Sequence, residues 1–265
     1  MEWWLAYIGL GSVVGFAAGM LGIGGGVIMV PVLTMMFSAQ SEFDANMALH
    51  LALGTSIATI LFTSLSSLRA HHRHGAVLWN VVFRITPGIL AGTLLGALIA
   101  SHVPIRPLAI FFSLFVCFTA AQMILDLKPK ASRQLPGTAG MVGVGVGIGT
   151  LSALVAIGGG ALTVPFLTWC NVRVQNAIGT SAAVGFPIAI GGSLGYIYNG
   201  WSHAMPTGSL GYIYLPALLG MVPLSMLAAP LGARMTHRLP VVTLKRIFAC
   251  LLIALAARML WKLFA

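Results

Sequence analysis

Residues 19–34 read GMLGIGGGVIMVPVLT, inside an apolar run that extends from Trp3 to Phe37. Each glycine costs a helix about 1 kcal/mol and an internal proline about 3 kcal/mol. A plain membrane-spanning helix therefore does not account for Gly24, Gly25 and Gly26 followed by Pro31. Length makes the same point: the run from Trp3 to Phe37 would extend about 50 Å as one helix, against a hydrocarbon core of about 30 Å. The piece after the glycines, from Val27 to Phe37, covers only about half a membrane. The glycines therefore fall near the midplane, where the chain either crosses as a broken helix or turns back as a re-entrant hairpin.

The same stretch occurs twice. Residues 23–34, IGGGVIMVPVLT, align without a gap on residues 157–168, IGGGALTVPFLT, with eight of twelve positions identical. Ala52-Leu-Gly-Thr-Ser56 likewise matches Ala177-Ile-Gly-Thr-Ser181, and Pro87, Gly96 and Pro104 match Pro223, Gly232 and Pro240 at one offset. A duplicated unit is the simplest source of such order. Apolar segments cover about 3–37, 45–68, 76–100, 105–127, 138–170, 174–198, 210–233 and 240–264. They divide into a first repeat (residues 1–127), a polar linker (128–137) and a second repeat (138–265). The expected fold is an all-α integral membrane protein of two four-segment repeats, each opening with a glycine-broken helix pair.

Composition agrees: 58% of the 265 residues are hydrophobic and 7% charged, as lipid requires. The net charge of +10 is spread over loops and helix ends, which argues for the positive-inside bias rather than nucleic-acid binding. Cys117, Cys170 and Cys250 are too far apart in sequence for a metal-ligand spacing and read as packing residues. The N-terminus carries Glu2 where a signal peptide would carry a base, so it is expected to stay in the mature protein, with Trp3 and Trp4 as interfacial anchors.

The charges also bear on orientation. If residues 3–37 and 138–170 are hairpins, the repeats are inverted. Arg69, Arg73, Lys128, Lys130, Arg133, Arg173, Arg234 and Arg238 then share one side, and Arg106, Arg258 and Lys262 join Glu2, Glu42 and Asp44 on the other. If both segments cross once, the basic residues divide far less unevenly. The one-sided split is the one that the positive-inside rule asks for. It favours inverted repeats with both termini outside the cytoplasm.

A helix that begins at the midplane presents unpaired N–H groups and the positive end of its dipole, an anion site that needs no fixed charge. Two such ends meeting between inverted repeats is a known plan for binding an anionic substrate in a transporter. The other reading is that the glycines only let helices pack closely. Gly54-Thr55-Ser56 and Gly179-Thr180-Ser181 could add hydroxyl donors, or serve as interhelical glue. His50 lies in an apolar segment, with Gln175 as its counterpart, and is a candidate for proton coupling or for a plain interhelical hydrogen bond. His71-His-Arg-His74 reads as a basic turn rather than a metal site, since no acid or Cys accompanies it. Gly88, Gly92 and Gly96 form a close-packing stripe. Gly191-Gly-Ser-Leu-Gly195 fits the Gly-x-Ser-x-Gly esterase pattern without the strand it needs. The four acids, Glu2, Glu42, Asp44 and Asp126, all lie near segment ends, so no acid is at hand for catalysis at the midplane, and neither an enzyme nor a cofactor is expected.

GMLGIGGGVIMVPVLT with ALGTS, then LVAIGGGALTVPFLT with AIGTS, resembles the sulfite exporter TauE/SafE family of membrane permeases. The resemblance implies a multi-pass transporter of the bacterial inner membrane that moves a small sulfur-containing anion, sulfite or an organosulfonate. Carried over by position, it places the substrate against Gly24, Gly25, Gly26, Thr55 and Ser56 and against Gly158, Gly159, Gly160, Thr180 and Ser181. Ala156 stands where the first copy has Gly22, which could make the half-sites unequal. An anion channel of the same lining, or a membrane-embedded enzyme or assembly protein, remains as an alternative. The sequence leaves open the anion, the direction, H+ or Na+ coupling and the oligomeric state.

Overall fold

The computed structural model describes residues 2–21, 25–44, 46–125, 132–235 and 241–264. Among these the chain forms ten helices and one hairpin. In order they are α1 (Glu2–Leu21), α2 (Gly26–Ser38), α3 (Ala48–Arg73), α4 (Trp79–His102), α5 (Ile105–Ile124), α6 (Thr138–Val155), α7 (Gly160–Trp169), α8 (Val174–Gly200), β1 (Ser209–Leu210), β2 (Ile213–Tyr214), α9 (Leu215–Met235) and α10 (Val241–Phe264). Six of them, α3, α4, α5, α6, α8 and α9, are long and apolar enough to cross a bilayer. The protein is a multi-pass, all-helical membrane protein. α2 and α7 are short, extending about 20 Å and 15 Å at the rise of an α-helix.

The glycines break the chain where the sequence predicts. Gly25 caps α2 at φ +66°, a left-handed conformation that costs glycine nothing. α6 ends on Ala156 at φ +46°, and the chain then passes through Ile157 to Gly159 before α7 starts. Pro31 and Pro165 lie inside the short helices. Thr34 and Thr168 close the repeated motif by donating back to Val30 O (2.7 Å) and Val164 O (2.9 Å).

Helices α3 and α8 form the centre. In their apolar windows 83% and 72% of residues are buried, against 33–44% for the other four spans. The two run antiparallel, with Gly192 against Ile57 and Gly185 against Ser64. Around them lie two glycine seams. Gly11, Gly15 and Gly19 of α1 face the backbones of Met221, Ser225 and Ala229 in α9, and Gly88, Gly92 and Gly96 of α4 face Val142, Val146 and Thr150 in α6. Along each seam the numbers rise together, so α1 runs parallel to α9 and α4 to α6. A Cβ at any of these glycines would overlap backbone of the facing helix. Lipid offers no hydrophobic drive between helices, so this close backbone approach is what holds the seams. Thr150 Oγ1 adds a hydrogen bond to Gly92 O (3.1 Å).

Both short helices end near where their partners begin. Gln40, beyond α2, donates from Nε2 to the Tyr7 hydroxyl in the early turns of α1 (3.2 Å). Ser132 and Arg133, ahead of α6, donate their backbone N–H to Trp169 O at the end of α7 (3.2 and 3.3 Å). There the Trp169 indole N–H donates to Ser132 Oγ (2.9 Å), and the Arg133 guanidinium sits 4.9 Å over the ring. Beside the end of α2, Phe37, Phe43 and Tyr214 pack ring on ring, with Tyr7 against Tyr214.

Two sequence motifs take plain structural places. His72 accepts the Trp79 indole N–H at Nδ1 (3.3 Å) at the turn after α3. Gly191 to Gly195 lie within α8, so the esterase-like pattern is helix and not a strand-to-helix turn.

Candidate functional site

The two breaks meet at the centre of the bundle. Gly25 O accepts the N–H groups of Ile28 and Met29 (both 3.1 Å), which starts α2. A Cβ on Gly26 would overlap the carbonyl of Ala156, with Ile60 Cδ1 3.3 Å away. Gly26 therefore touches the break of the other repeat. In that break Gly159 O accepts the Thr163 N–H (2.8 Å). The position of a Cβ on Gly159 lies 2.7 Å from Ser181 O and 3.3 Å from Gly185 N, so only glycine lets this turn rest on α8. The first N–H groups of α2 and α7 have no partner within their helix and carry the positive end of its dipole. Gly24 lies outside the described residues.

A cavity of about 30 Å³ opens at the second break, lined by Gly158, Gly159, Gly160, Ser181, Ala182 and Gly185, by Ile60, Thr63, Ser64 and Ser67 of α3, and at its edge by small residues of α1 and α9. Among the described residues, no charged side chain lines it. Thr63 Oγ1 donates back to Thr59 O or Ile60 O (3.3 Å each), Ser64 Oγ to Leu61 O (3.2 Å) and Ser181 Oγ to Ile178 O (2.8 Å). These local bonds leave each hydroxyl free to turn toward a ligand at the cost of one weak contact. The sequence reading missed Thr63, Ser64 and Ser67. Their signal was the run of hydroxyls Ser56, Thr59, Thr63 and Ser67 at helical spacing, one stripe along α3.

The repeated Gly-Thr-Ser triplets are divided in their contacts. Thr55 Oγ1 accepts the N–H of Tyr214, and Thr180 Oγ1 accepts that of Leu78 (3.0 Å each). Gly54 packs on the Tyr212 carbonyl and Gly179 on Ala76. Each Gly-Thr pair thus grips the segment leading into α9 or α4. A hydroxyl oxygen that accepts an N–H keeps its own proton to donate. Ser56 is fully buried, and its Oγ has no hydrogen-bond partner among the described residues.

His50 is buried near the start of α3. It is the third residue of α3, its Nε2 lies 2.9 Å from Ala100 O near the end of α4, and its ring stacks at 5.4 Å on Tyr212, which also meets His203.

A family model described as sulfite exporter TauE/SafE matches residues 7–259. The chain belongs to that family. Among the relatives of this TauE/SafE protein is a probable membrane transporter protein of Haemophilus influenzae, 37% identical over 256 residues and covering 96% of each chain. The probable membrane transporter protein YdhB of Bacillus subtilis is 29% identical, over 87% of this chain and 89% of its own. A further probable membrane transporter protein, from Methanocaldococcus jannaschii, is 27% identical over 87% and 85%. No solved structure matches the chain. The protein is a membrane transporter of the TauE/SafE family.

Proposed function

We propose that this protein is a secondary transporter of a small sulfur oxyanion, sulfite or an organosulfonate, working by alternating access in a bacterial inner membrane. The observation that carries the reading is the second break: α7 starts next to an uncharged, hydroxyl-lined cavity beside Ser181 and Gly185, well inside the central helix α8. Dipole ends and hydroxyls attract an anion without binding it as tightly as a buried cation would, and cargo has to be released. The candidate residues are Gly24, Gly25, Gly26, Thr55 and Ser56 at the first break and Gly158, Gly159, Gly160, Thr180 and Ser181 at the second, with Thr55 and Thr180 also accepting backbone N–H groups. A space of about 30 Å³ holds roughly one water molecule. An oxyanion enters only when the walls part, which favours a carrier over an open pore.

The repeats are inverted and each opens with a re-entrant pair. Supporting this are the return of α2 to Tyr7, the return of α7 to Ser132 and Arg133, and the parallel seams. The antiparallel crossing of α3 and α8, taken with α1 parallel to α9 and α6 to α4, supports short helices that carry the chain back before α3 and α8 begin. Arg69, Arg73, Arg133 and Arg173 then lie on the cytoplasmic side, and both termini lie outside. Coupling is to H+ or Na+, with His50 the candidate for the former. Counterflow of labelled sulfite in proteoliposomes tests the function: saturable exchange, competed by methanesulfonate and not by acetate, is expected. Exchange no faster than in protein-free vesicles would reject it.

A further inference from the structure

We infer that the two half-sites are unequal, and that this transporter takes one anion per chain at the second break, on a hydroxyl wall supplied by α3, while the space beside Gly25 at the first, about 10 Å³, is lined by apolar side chains alone. The inference rests on the anion-transport reading above and deepens it.

The register that sets Ser56 on Ser181 continues along α3 and α8. It pairs Ile57 with Ala182, Ile60 with Gly185, Thr63 with Ile188, Ser64 with Ala189 and Ser67 with Gly192. Because α3 and α8 cross antiparallel, each break is walled by two sets of residues. One set follows the Ser of its own repeat by one and four positions, and the other comes from the facing helix at seven, eight and eleven. At the second break the first set is Ala182 and Gly185, both small, and the second is Thr63, Ser64 and Ser67, all hydroxyls. At the first break the same positions hold Ile57 and Ile60, then Ile188, Ala189 and Gly192. Two of the exchanges put bulk where the second break has space, and the other three remove a hydroxyl, with Ile57 taking up the room left at Gly192.

The packing follows the exchange. Ile60 Cδ1 lies 3.3 Å from the Cβ position of Gly26, so this side chain packs on the first break while also closing one edge of the cavity, and Ile57 Cδ1 would overlap a Cβ on Gly192. Ile60 and Ile57 are 1% and 0% exposed. At Gly185, in contrast, the nearest side-chain atom to a Cβ position is Ser64 Cβ at 3.4 Å, and the cavity opens there. Thr63, Ser64 and Ser181 are all buried at this cavity. Three hydroxyls on one wall and a helix N-terminus opposite suit the several oxygens of a sulfonate or bisulfite. With no cation in the lining, desolvation favours a monoanion over a dianion such as sulfate.

The test is calorimetric titration of the purified full-length protein with methanesulfonate. One site per chain is expected. Ser64→Ala with Ser67→Ala is expected to weaken binding about tenfold or more, since each lost donor to a charged group is worth roughly a factor of ten. Each change removes a single oxygen, and a monodisperse elution profile checks that the variant folds. Ile188→Val, which trims the corresponding wall of the first half-site, is expected to leave affinity within about threefold, because a lost methylene there touches no ligand. Two equivalent sites per chain, or unchanged affinity in the double alanine variant, would overturn the inequality while leaving anion transport standing. No heat and no competition of sulfite counterflow by methanesulfonate in the wild type would overturn both.

Discussion

Ala156 holds φ +46° at the end of α6, in the left-handed region that costs an L-residue roughly 1–2 kcal/mol. Its counterpart in the first repeat is Gly22, which carries no such cost. Ala156→Gly is therefore expected to hold or raise the unfolding temperature in detergent, and Ala156→Val to lower stability by about 2 kcal/mol, since a branched side chain fits the left-handed region worse. Thr55 and Thr180 allow a second test at this scale. Thr180→Val leaves the Leu78 N–H without its acceptor and is expected to cost about 1–3 kcal/mol, with Thr180→Ser restoring most of it. Thr55→Val and the Tyr214 N–H are expected to behave alike; equal stability of the Val and Ser variants would remove the hydroxyls from the latch. The triplets were legible as important, but their partners were not. Leu78 and Tyr214 lie 102 and 159 residues away in sequence, and no local pattern announces a hydroxyl that receives a distant backbone N–H.

Among elements, the glycine seams decide how closely helices approach. Gly92 of α4 meets the backbone of Val146, whereas Gly147 of α6 has open space where a Cβ would stand. Gly92→Leu is expected to cost about 3 kcal/mol or more through overpacking, seen as loss of the monodisperse peak, and Gly147→Leu to be tolerated. Equal tolerance of both would mean that α4 and α6 are not held by backbone contact. The stripe Gly88, Gly92, Gly96 was readable because four-residue spacing keeps one helix face; that α6 is its partner was not, since spacing names a face and not its neighbour. The breaks were more legible than the seams. Three glycines and a proline in a run too long for one span require an interruption, and Gly25 at φ +66° lies in it.

At the scale of the whole molecule, the internal repeat in the sequence leads to the breaks but not to the cavity. Matching residues 23–34 with 157–168 pointed to both breaks, and these meet where Gly26 touches Ala156. The cavity, however, lies where the copies differ, at Gly185 against Ile60 and along Thr63, Ser64 and Ser67. A search for identities between repeats passes over those positions. The inverted plan makes its own prediction: a reporter fused after Ala265 reads outside the cytoplasm and one inserted at Gly75 reads inside, and the opposite readout for Ala265 would remove the re-entrant pairs. The central claim, an anion held at the second break, is tested most directly by Gly159→Leu. A side chain there must enter the space between Gly159 and α8, where the Cβ position is already 2.7 Å from Ser181 O. In proteoliposomes loaded with equal amounts of monodisperse protein, sulfite counterflow through Gly159→Leu is predicted to fall to the protein-free level. Counterflow at the wild-type rate would contradict it.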